Sequence, residues 1–107
     1  EIIEELVEEA RRRLEQLGYT NVGMKTGDGS LGWPEHAPFD RILVAAAPDL
    51  VPAALIQQLK PGGRMVIPAG IEEAQQLMIV DKAADSQIDI REVLPVRFSP
   101  LITEDDL

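Results

Sequence analysis

Asp40-Arg41-Ile42-Leu43-Val44-Ala45-Ala46-Ala47 is the stretch of this sequence that decides its fold class. Six apolar residues follow Arg41 without a break. A continuous apolar run of this kind predicts a strand that is covered on both faces, as in a parallel sheet. The alanines at its C-terminal end are small, so we expect them to leave room for another group to approach the backbone.

The segments on either side of this run predict alternating helices and strands. Upstream, apolar residues at spacings of three and four predict an amphipathic helix over residues 2–17, and a short strand follows over Asn21–Thr26. Downstream, we expect a helix from Pro52 to about Leu59, a turn at Lys60–Gly63 and a buried strand over Arg64–Pro68. Such alternation is typical of an α/β fold with a parallel sheet.

The C-terminal part of the chain predicts strands without helices between them. Residues 75–82 and 88–94 read as strands, and we expect them to be antiparallel because they are close in sequence. Residues 96–101 are expected to be extended, with Pro100 limiting their pairing. The last residues, 103–107, are expected to be frayed.

Composition narrows the class of protein. The chain has 107 residues and a net charge of −9, so we expect one domain that does not bind the phosphate backbone of nucleic acids. It has no cysteine, which excludes disulfides, a thiol nucleophile and a cysteine metal site, and its single histidine makes a histidine metal site or a Ser–His–Asp triad hard to build. No apolar run approaches the roughly 20 residues that cross a bilayer, and no signal peptide opens the chain, so we expect a cytoplasmic protein without a membrane partner.

Two loops follow predicted strands, where α/β sheets bind their ligands. One is Gly27-Asp28-Gly29, and the other is Ala45-Ala46-Ala47-Pro48. From the residues alone, Asp28 is either a ligand-binding carboxylate or a simple turn residue. The alanines either line a site or pack in the core.

The order and spacing of several segments together resemble the protein-L-isoaspartate O-methyltransferases, a family of S-adenosylmethionine-dependent enzymes. The segments that carry the resemblance are, in chain order, Glu1–Leu6, Gly27–Pro34, Ala37–Ile42, Val44–Pro48, Val51-Pro52 with Leu55, Gln58–Arg64, Pro68, Gly70 and Val96–Leu101. The resemblance implies a Rossmann-like methyltransferase sheet and methyl transfer to the α-carboxylate of isoaspartyl residues in damaged proteins, a protein-repair reaction. The nucleophile, a carboxylate, is already ionised at neutral pH, so no strong general base is needed, and we assign no catalytic residue and no metal.

The resemblance also implies roles for individual residues, on two sides of a site. Glu1 matches the acid that binds the adenosine ribose, although a carboxylate that only begins a helix is an open alternative; Asp28 matches the residue that binds the adenine amino group. The implied cofactor-binding residues are Glu1, Gly27, Asp28, Gly29 and Ala45, and the implied substrate-binding residues are Ala46, Val96, Phe98, Ser99 and Pro100. The family usually has an apolar residue where Ser99 stands. We interpret Trp33 as a loop anchor and Arg64 as support for its strand.

The family's glycine-rich first motif does not occur in this sequence. In the complete fold the first two strands lie between the strands predicted over 21–26 and 40–47, so we expect an incomplete sheet in which residues 1–107 form the C-terminal portion of the domain. We expect an incomplete cofactor site, an activity that requires the missing N-terminal part so that this chain alone is inactive, and exposed sheet edges that favour a homodimer. The alternative function is a non-catalytic Rossmann-like binding or structural module; a nicotinamide oxidoreductase lacks support because no G-x-G-x-x-G follows a strand.

Overall fold

The computed structural model describes all 107 residues, from Glu1 to Leu107. Its elements are helix α1 (Glu4–Gln16), strand β1 (Phe39–Leu43), helix α2 (Ala53–Gln58) and strands β2 (Leu59–Ile71), β3 (Ala74–Lys82) and β4 (Ile88–Val96), with short 3-10 helices at Gly29–Leu31, Pro34–His36 and Glu104–Asp106. This mixture of helices and strands confirms the predicted α/β class. No helix is both long and apolar enough to cross a membrane.

One four-stranded sheet, in the order β1-β2-β3-β4, organises the molecule. β1 and β2 are parallel and are joined through α2, whereas β2–β3 and β3–β4 are antiparallel. Both the parallel pair and the antiparallel C-terminal strands were predicted from the sequence. Because the sheet order equals the chain order, β1 and β4 are the two edge strands.

The core lies where α2 covers the middle of the sheet. Its buried members are Leu55 and Leu59 at α2 and the start of β2, Met65 and Ile67 on β2, and Val80 on β3. Met65 is fully buried and pairs with Ile42 on one side and Val80 on the other. β2 therefore sits at the centre of the core, as its apolar sequence predicts.

Two predicted boundaries around β1 and β2 are wrong. β1 ends at Leu43, so Ala45–Ala47 lie beyond the strand, although the Val44 N–H still donates to the Val66 carbonyl at 3.0 Å. The turn predicted over Lys60–Gly63 lies inside β2 as a bulge, because the register steps from Phe39–Leu59 to Arg41–Arg64. Gly62 supplies the positive φ of +85° that this bulge requires.

The strand predicted over Asn21–Thr26 is absent, because the segment joins no sheet. A stretch of alternating residues becomes a strand only when a neighbouring strand completes its hydrogen bonds. The outer edge of β1 likewise has no strand beside it. These two unpaired segments agree with the predicted incompleteness of the sheet.

Helix α1 forms as predicted, but it is only loosely packed. It ends at Gly18 in a Schellman motif, with Tyr19 N–H donating to Leu14 and Gly18 N–H to Glu15, both at 3.0 Å. Val7 is its only buried residue, and much of its predicted apolar face is exposed, including Leu6 at 46%.

Candidate functional site

A cavity of about 490 Å³ opens between the Gly27-Asp28-Gly29 turn and the outer edge of β1. This volume falls in the range of small-molecule sites. The residues around it that matter most here are the polar Glu1 and Asp28, the glycines Gly27 and Gly29, and the apolar Val22, Met24, Trp33, Phe39, Ile42 and Leu43. The cavity therefore combines apolar walls with two carboxylate residues in its lining.

Asp28 is the most constrained polar residue of this cavity, with only 9% of its surface exposed. Its Oδ1 accepts hydrogen bonds from the Ser30 N–H at 2.9 Å and the Ser30 hydroxyl at 2.6 Å, and its Oδ2 accepts one from the Glu104 N–H at 3.0 Å. The Ser30 hydroxyl, followed by the Glu104 N–H, lowers the pKa of Asp28 below its ordinary value. A carboxylate has about four acceptor positions, so one remains for a ligand.

Glu1 lies beside this turn because the two segments are hydrogen-bonded. The Gly27 N–H donates to the Glu1 carbonyl at 2.9 Å, and the Glu1 carboxylate accepts the Ile3 N–H at 3.1 Å. The carboxylate thus already binds the backbone at the start of α1, which is the helix-leading role that the sequence left open. A β-carbon on Gly29 would meet no atom within 4 Å, so the space next to that glycine is open.

The loop that closes one side of the cavity is held by Gln58. Its side-chain amide donates to the Leu31 carbonyl at 3.0 Å and accepts the Trp33 N–H at 2.9 Å. The Trp33 ring packs edge-on against His36, with centroids 4.4 Å apart, and contributes to the cavity wall. Trp33 therefore anchors the loop as predicted and also faces the cavity.

Two of the predicted substrate-side residues, Ser99 and Pro100, lie beside Ala47 at a second place, and Val96 lies at the end of β4. The Ala47 N–H donates to the Ser99 carbonyl at 2.8 Å, and the Leu101 N–H donates to the Ala47 carbonyl at 2.9 Å, which forms a parallel bridge between Ala47 and Pro100. Ala46 and Phe98 are half-buried close by in sequence. None of the five predicted substrate residues lines the cavity, and neither does Ala45, which is exposed beyond the end of β1.

One segment connects these two places: residues Arg97–Leu107, which we call the C-terminal strap. It contacts Gln75 at Phe98, then Ala47, and finally Asp28 through Glu104. The expectation that residues 103–107 are frayed is wrong. They form a 3-10 helix whose start is closed by the Asp106 carboxylate, which accepts the Thr103 N–H at 2.8 Å and the Thr103 hydroxyl at 3.2 Å.

Arg64 lies outside both places and supports the sheet, as predicted. Its guanidinium forms a bidentate pair with Asp81, at 2.7 and 3.1 Å, directly across the β2–β3 register. Hydrogen bonding to Arg64 lowers the pKa of Asp81. The two groups pair with each other and neither of them lines the cavity.

Sequence reasoning missed three residues that shape this region: Gln58, Gln75 and Glu104. Gln75 carried no distinguishing signal, because it and Gln76 each begin an alternating face of β3 that continues with two apolar residues. Gln58 and Glu104 carried none, because each contributes through a contact that is distant along the chain.

Known proteins of one family match this chain in sequence. A sequence profile described as protein-L-isoaspartate(D-aspartate) O-methyltransferase (PCMT) matches residues 1–106. Protein-L-isoaspartate O-methyltransferase 1 of Polaromonas sp. (strain JS666) is 60% identical over 101 residues, which cover 94% of this chain and 43% of the relative. Protein-L-isoaspartate O-methyltransferase 2 of Nitrosococcus oceani is 54% identical over 101 residues, covering 94% of this chain and 46% of the relative.

Solved structures show the same architecture. One protein-L-isoaspartate O-methyltransferase superposes with a TM-score of 0.84 at 34% identity, over 94% of this chain and 32% of that chain. A putative protein-L-isoaspartate O-methyltransferase from Plasmodium falciparum, in complex with S-adenosyl-L-homocysteine, gives a TM-score of 0.80 at 21% identity, covering 97% of this chain and 51% of that chain; at this identity it supports the fold alone.

The chain thus spans less than half the length of these two curated relatives. Within that span, the profile match, the high identity and the shared sheet agree with one another. This chain belongs to the protein-L-isoaspartate O-methyltransferase family.

Proposed function

We propose that this chain forms the cofactor-side turn and the substrate-side strap of a protein-L-isoaspartate O-methyltransferase, which transfers a methyl group from S-adenosylmethionine to the α-carboxylate of isoaspartyl residues. One observation carries the proposal. Glu1 and the Gly27-Asp28-Gly29 turn, which are far apart in sequence, are hydrogen-bonded to each other and open into one cavity. The open side of Gly29 and the remaining acceptor position of Asp28 are what an adenosine needs.

In this proposal Glu1, Gly27, Asp28, Gly29 and Ala45 hold the cofactor. Glu1 would accept hydrogen bonds from the ribose hydroxyls and Asp28 one from the adenine amino group, and Ile42 and Leu43, which line the cavity, would form an apolar wall for the ring. When bound, S-adenosylmethionine supplies the methyl group on a positively charged sulfur, and the chain's net charge of −9 does not oppose such a ligand.

On the substrate side, Ala46, Val96, Phe98, Ser99 and Pro100 hold the isoaspartyl peptide. The accepting α-carboxylate is ionised at neutral pH, with an ordinary pKa of about 3.5, so this chain supplies no general base. Its residues act by orienting the carboxylate and excluding water, which lowers the entropic part of the barrier.

The test is a chimera in which the matched segment of the Polaromonas relative is replaced by this chain. We expect it to methylate an isoaspartyl peptide and not the same peptide with normal aspartate. Asp28→Ala in the chimera should raise the KM for S-adenosylmethionine roughly 10- to 100-fold, as expected for losing hydrogen bonds to a charged group. Asp49→Ala, at an exposed aspartate outside both places, is the matched control.

A chimera that folds and lacks activity, beside an active parent relative, would contradict the proposal and favour the non-catalytic module.

A separate measurement tests cofactor binding by the chain alone. Because the cavity is bordered by the unpaired edge of β1, we expect calorimetric titration with S-adenosylmethionine to give no micromolar binding. A micromolar Kd would mean that these residues suffice for the cofactor.

We further propose a cytoplasmic protein that forms homodimers through its sheet edges and binds neither nucleic acid nor membranes. The outer edges of β1 and β4 carry unpaired backbone groups, and β4 exposes Ile90 at 47% and Leu94 at 47%. Sedimentation should show a concentration-dependent dimer that Ile90→Lys weakens. A strictly monomeric species at high concentration would exclude the dimer, and cell fractionation tests the location.

A further inference from the structure

Gln75 is the one buried side-chain amide of this structure, with 3% of its surface exposed. Its Nε2 donates to the Phe98 carbonyl at 3.1 Å, and its Oε1 accepts the Phe98 N–H at 2.7 Å. An amide side chain has the same donor and acceptor as a peptide group. Gln75 therefore binds both backbone polar groups of Phe98, as a neighbouring strand would.

The position of this contact explains why a glutamine is needed there. β4 ends at Val96, which pairs with Gln75 in the β3–β4 register. Two residues later the chain has left the sheet, and the polar groups of Phe98 have no strand beside them. The Gln75 side chain extends the ladder outward and satisfies both groups, whose burial without partners would be costly.

The same contact fixes the strap relative to the Ala45–Pro48 loop. Directly after Phe98, the Ser99 carbonyl accepts the Ala47 N–H at 2.8 Å. The loop is in turn held by the Gly70 N–H, which donates to the Pro48 carbonyl at 2.9 Å, and Gly70 pairs with Gln75 across β2 and β3. The contacts form a closed ring from Gln75 through the strap, the loop and Gly70 back to Gln75.

From this ring we infer that Gln75 is a positioning residue for substrate binding: it holds Phe98 and Ser99 against the Ala46-Ala47 side of the site without contacting the substrate itself. The inference rests on the proposed function, because it concerns the peptide that the strap would hold. Its own contacts lie away from the cavity, so it should affect the peptide and not the cofactor.

The test compares Gln75→Leu with Gln76→Leu in the chimera with the Polaromonas relative. Leucine removes both hydrogen bonds at nearly the same volume, and Gln76 is the matched control because it is half-buried on the same strand and makes no side-chain hydrogen bond. We expect Gln75→Leu to raise the KM for an isoaspartyl peptide about tenfold. The KM for S-adenosylmethionine and kcat should stay within about twofold, and Gln76→Leu should change none of the three.

A merely structural role would reduce the amount of folded enzyme and hence the apparent kcat, with both KM values unchanged; that result would overturn the inference. A second measurement covers the case in which the chimera variant does not fold. In this chain, amide exchange of Phe98 should be at least about tenfold faster in Gln75→Leu than in the parent or in Gln76→Leu, while Val80 in the core keeps its exchange rate. An unchanged rate of amide exchange at Phe98 would show that Gln75 does not hold this residue, and would refute the inference. An inactive parent chimera would refute the proposed function instead, and the exchange rate of Phe98 would still test whether Gln75 holds the strap.

Discussion

Replacing Asp28 with asparagine should release the C-terminal tail while leaving the sheet folded. The Asp28 carboxylate receives the Ser30 N–H and hydroxyl on one oxygen and the Glu104 N–H on the other, at 3.0 Å. Asparagine keeps one oxygen, which we expect to stay with Ser30. Its NH₂ group then faces the Glu104 N–H, so that two donors meet and the tail loses its contact.

The size of the effect follows from the kind of bond that is lost. A hydrogen bond to a charged group contributes about 1.5–3 kcal/mol, so the exchange of the Glu104 amide should accelerate roughly 10- to 150-fold. The change should remain local, because the Thr103–Asp106 cap closes the 3-10 helix independently of Asp28. Amide exchange followed by NMR measures it, and Asp49→Asn, which removes an exposed carboxylate, is the control.

The pH dependence provides a second signature of the same contact. The Ser30 hydroxyl and then the Glu104 N–H lower the pKa of Asp28 because they bind its ionised form. Because the pKa of Asp28 is lower in the folded state than in the unfolded state, its contacts contribute their full stabilisation at pH values above the ordinary pKa of about 3.9. This contribution is lost as the pH falls through the lowered pKa of the folded state. Protection of Glu104 should therefore be flat from neutral pH to about 4 and decline below it in the parent, and show no such decline in Asp28→Asn.

The comparison between the two proteins isolates Asp28, because the other carboxyl group with a lowered pKa, Asp81, is bound to Arg64 in both. If the Glu104 amide exchanges equally fast in the parent and in Asp28→Asn, the carboxylate does not hold the tail. The connection between the strap and the cavity would then have to be abandoned.

Three further predictions concern the scaffold, and chemical denaturation measures each. Met65→Ala, in the fully buried centre of the sheet, should lower the free energy of unfolding by about 2–5 kcal/mol, whereas Leu43→Ala, at 80% exposure, should change it by less than about 0.5 kcal/mol; equal effects would refute the assigned core. Gly70→Ala should destabilise clearly more than Gly62→Ala, because both have positive φ but only at Gly70 would the β-carbon meet the β3 backbone. Arg64→Gln should destabilise much less than Met65→Ala, since its ion pair is partly solvent-exposed, and a loss as large as that of Met65→Ala would contradict that placement.

Much of the fold was predictable because its signals are local. The apolar run that contains Ile42 and Val44 indicated a parallel pair of strands. The turn residues Pro61 and Gly62 marked the position of the bulge in β2, although they were interpreted as a turn before the strand. The capping-box spacing of Thr103 and Asp106 was equally local, so the ordered tail could have been recognised from the sequence.

Other failures have a different physical cause, which is dependence on a neighbour that the local sequence does not specify. Residues 21–26 have a strand-like pattern and no strand beside them, so the pattern alone does not produce a strand. The same distinction between local and distant signals separates the site residues that were predicted from those that were missed. Motif spacing identified Asp28 and its glycines, but the contacts of Gln58, Gln75 and Glu104 join segments at least 23 residues apart and could not be inferred from spacing.

The strap explains how two groups of site residues on separate segments could act together. Along its length it contacts Gln75, Ala47 and then Asp28, so one short segment touches the substrate-side loop and the cofactor-side turn in succession. Methyl transfer requires the reacting atoms to be held at about 3–3.5 Å, and a displacement of 1 Å is costly. The strap is held by Gln75 at its start and by Asp28 near its end, and it therefore fixes the position of the proposed substrate side relative to the proposed cofactor turn.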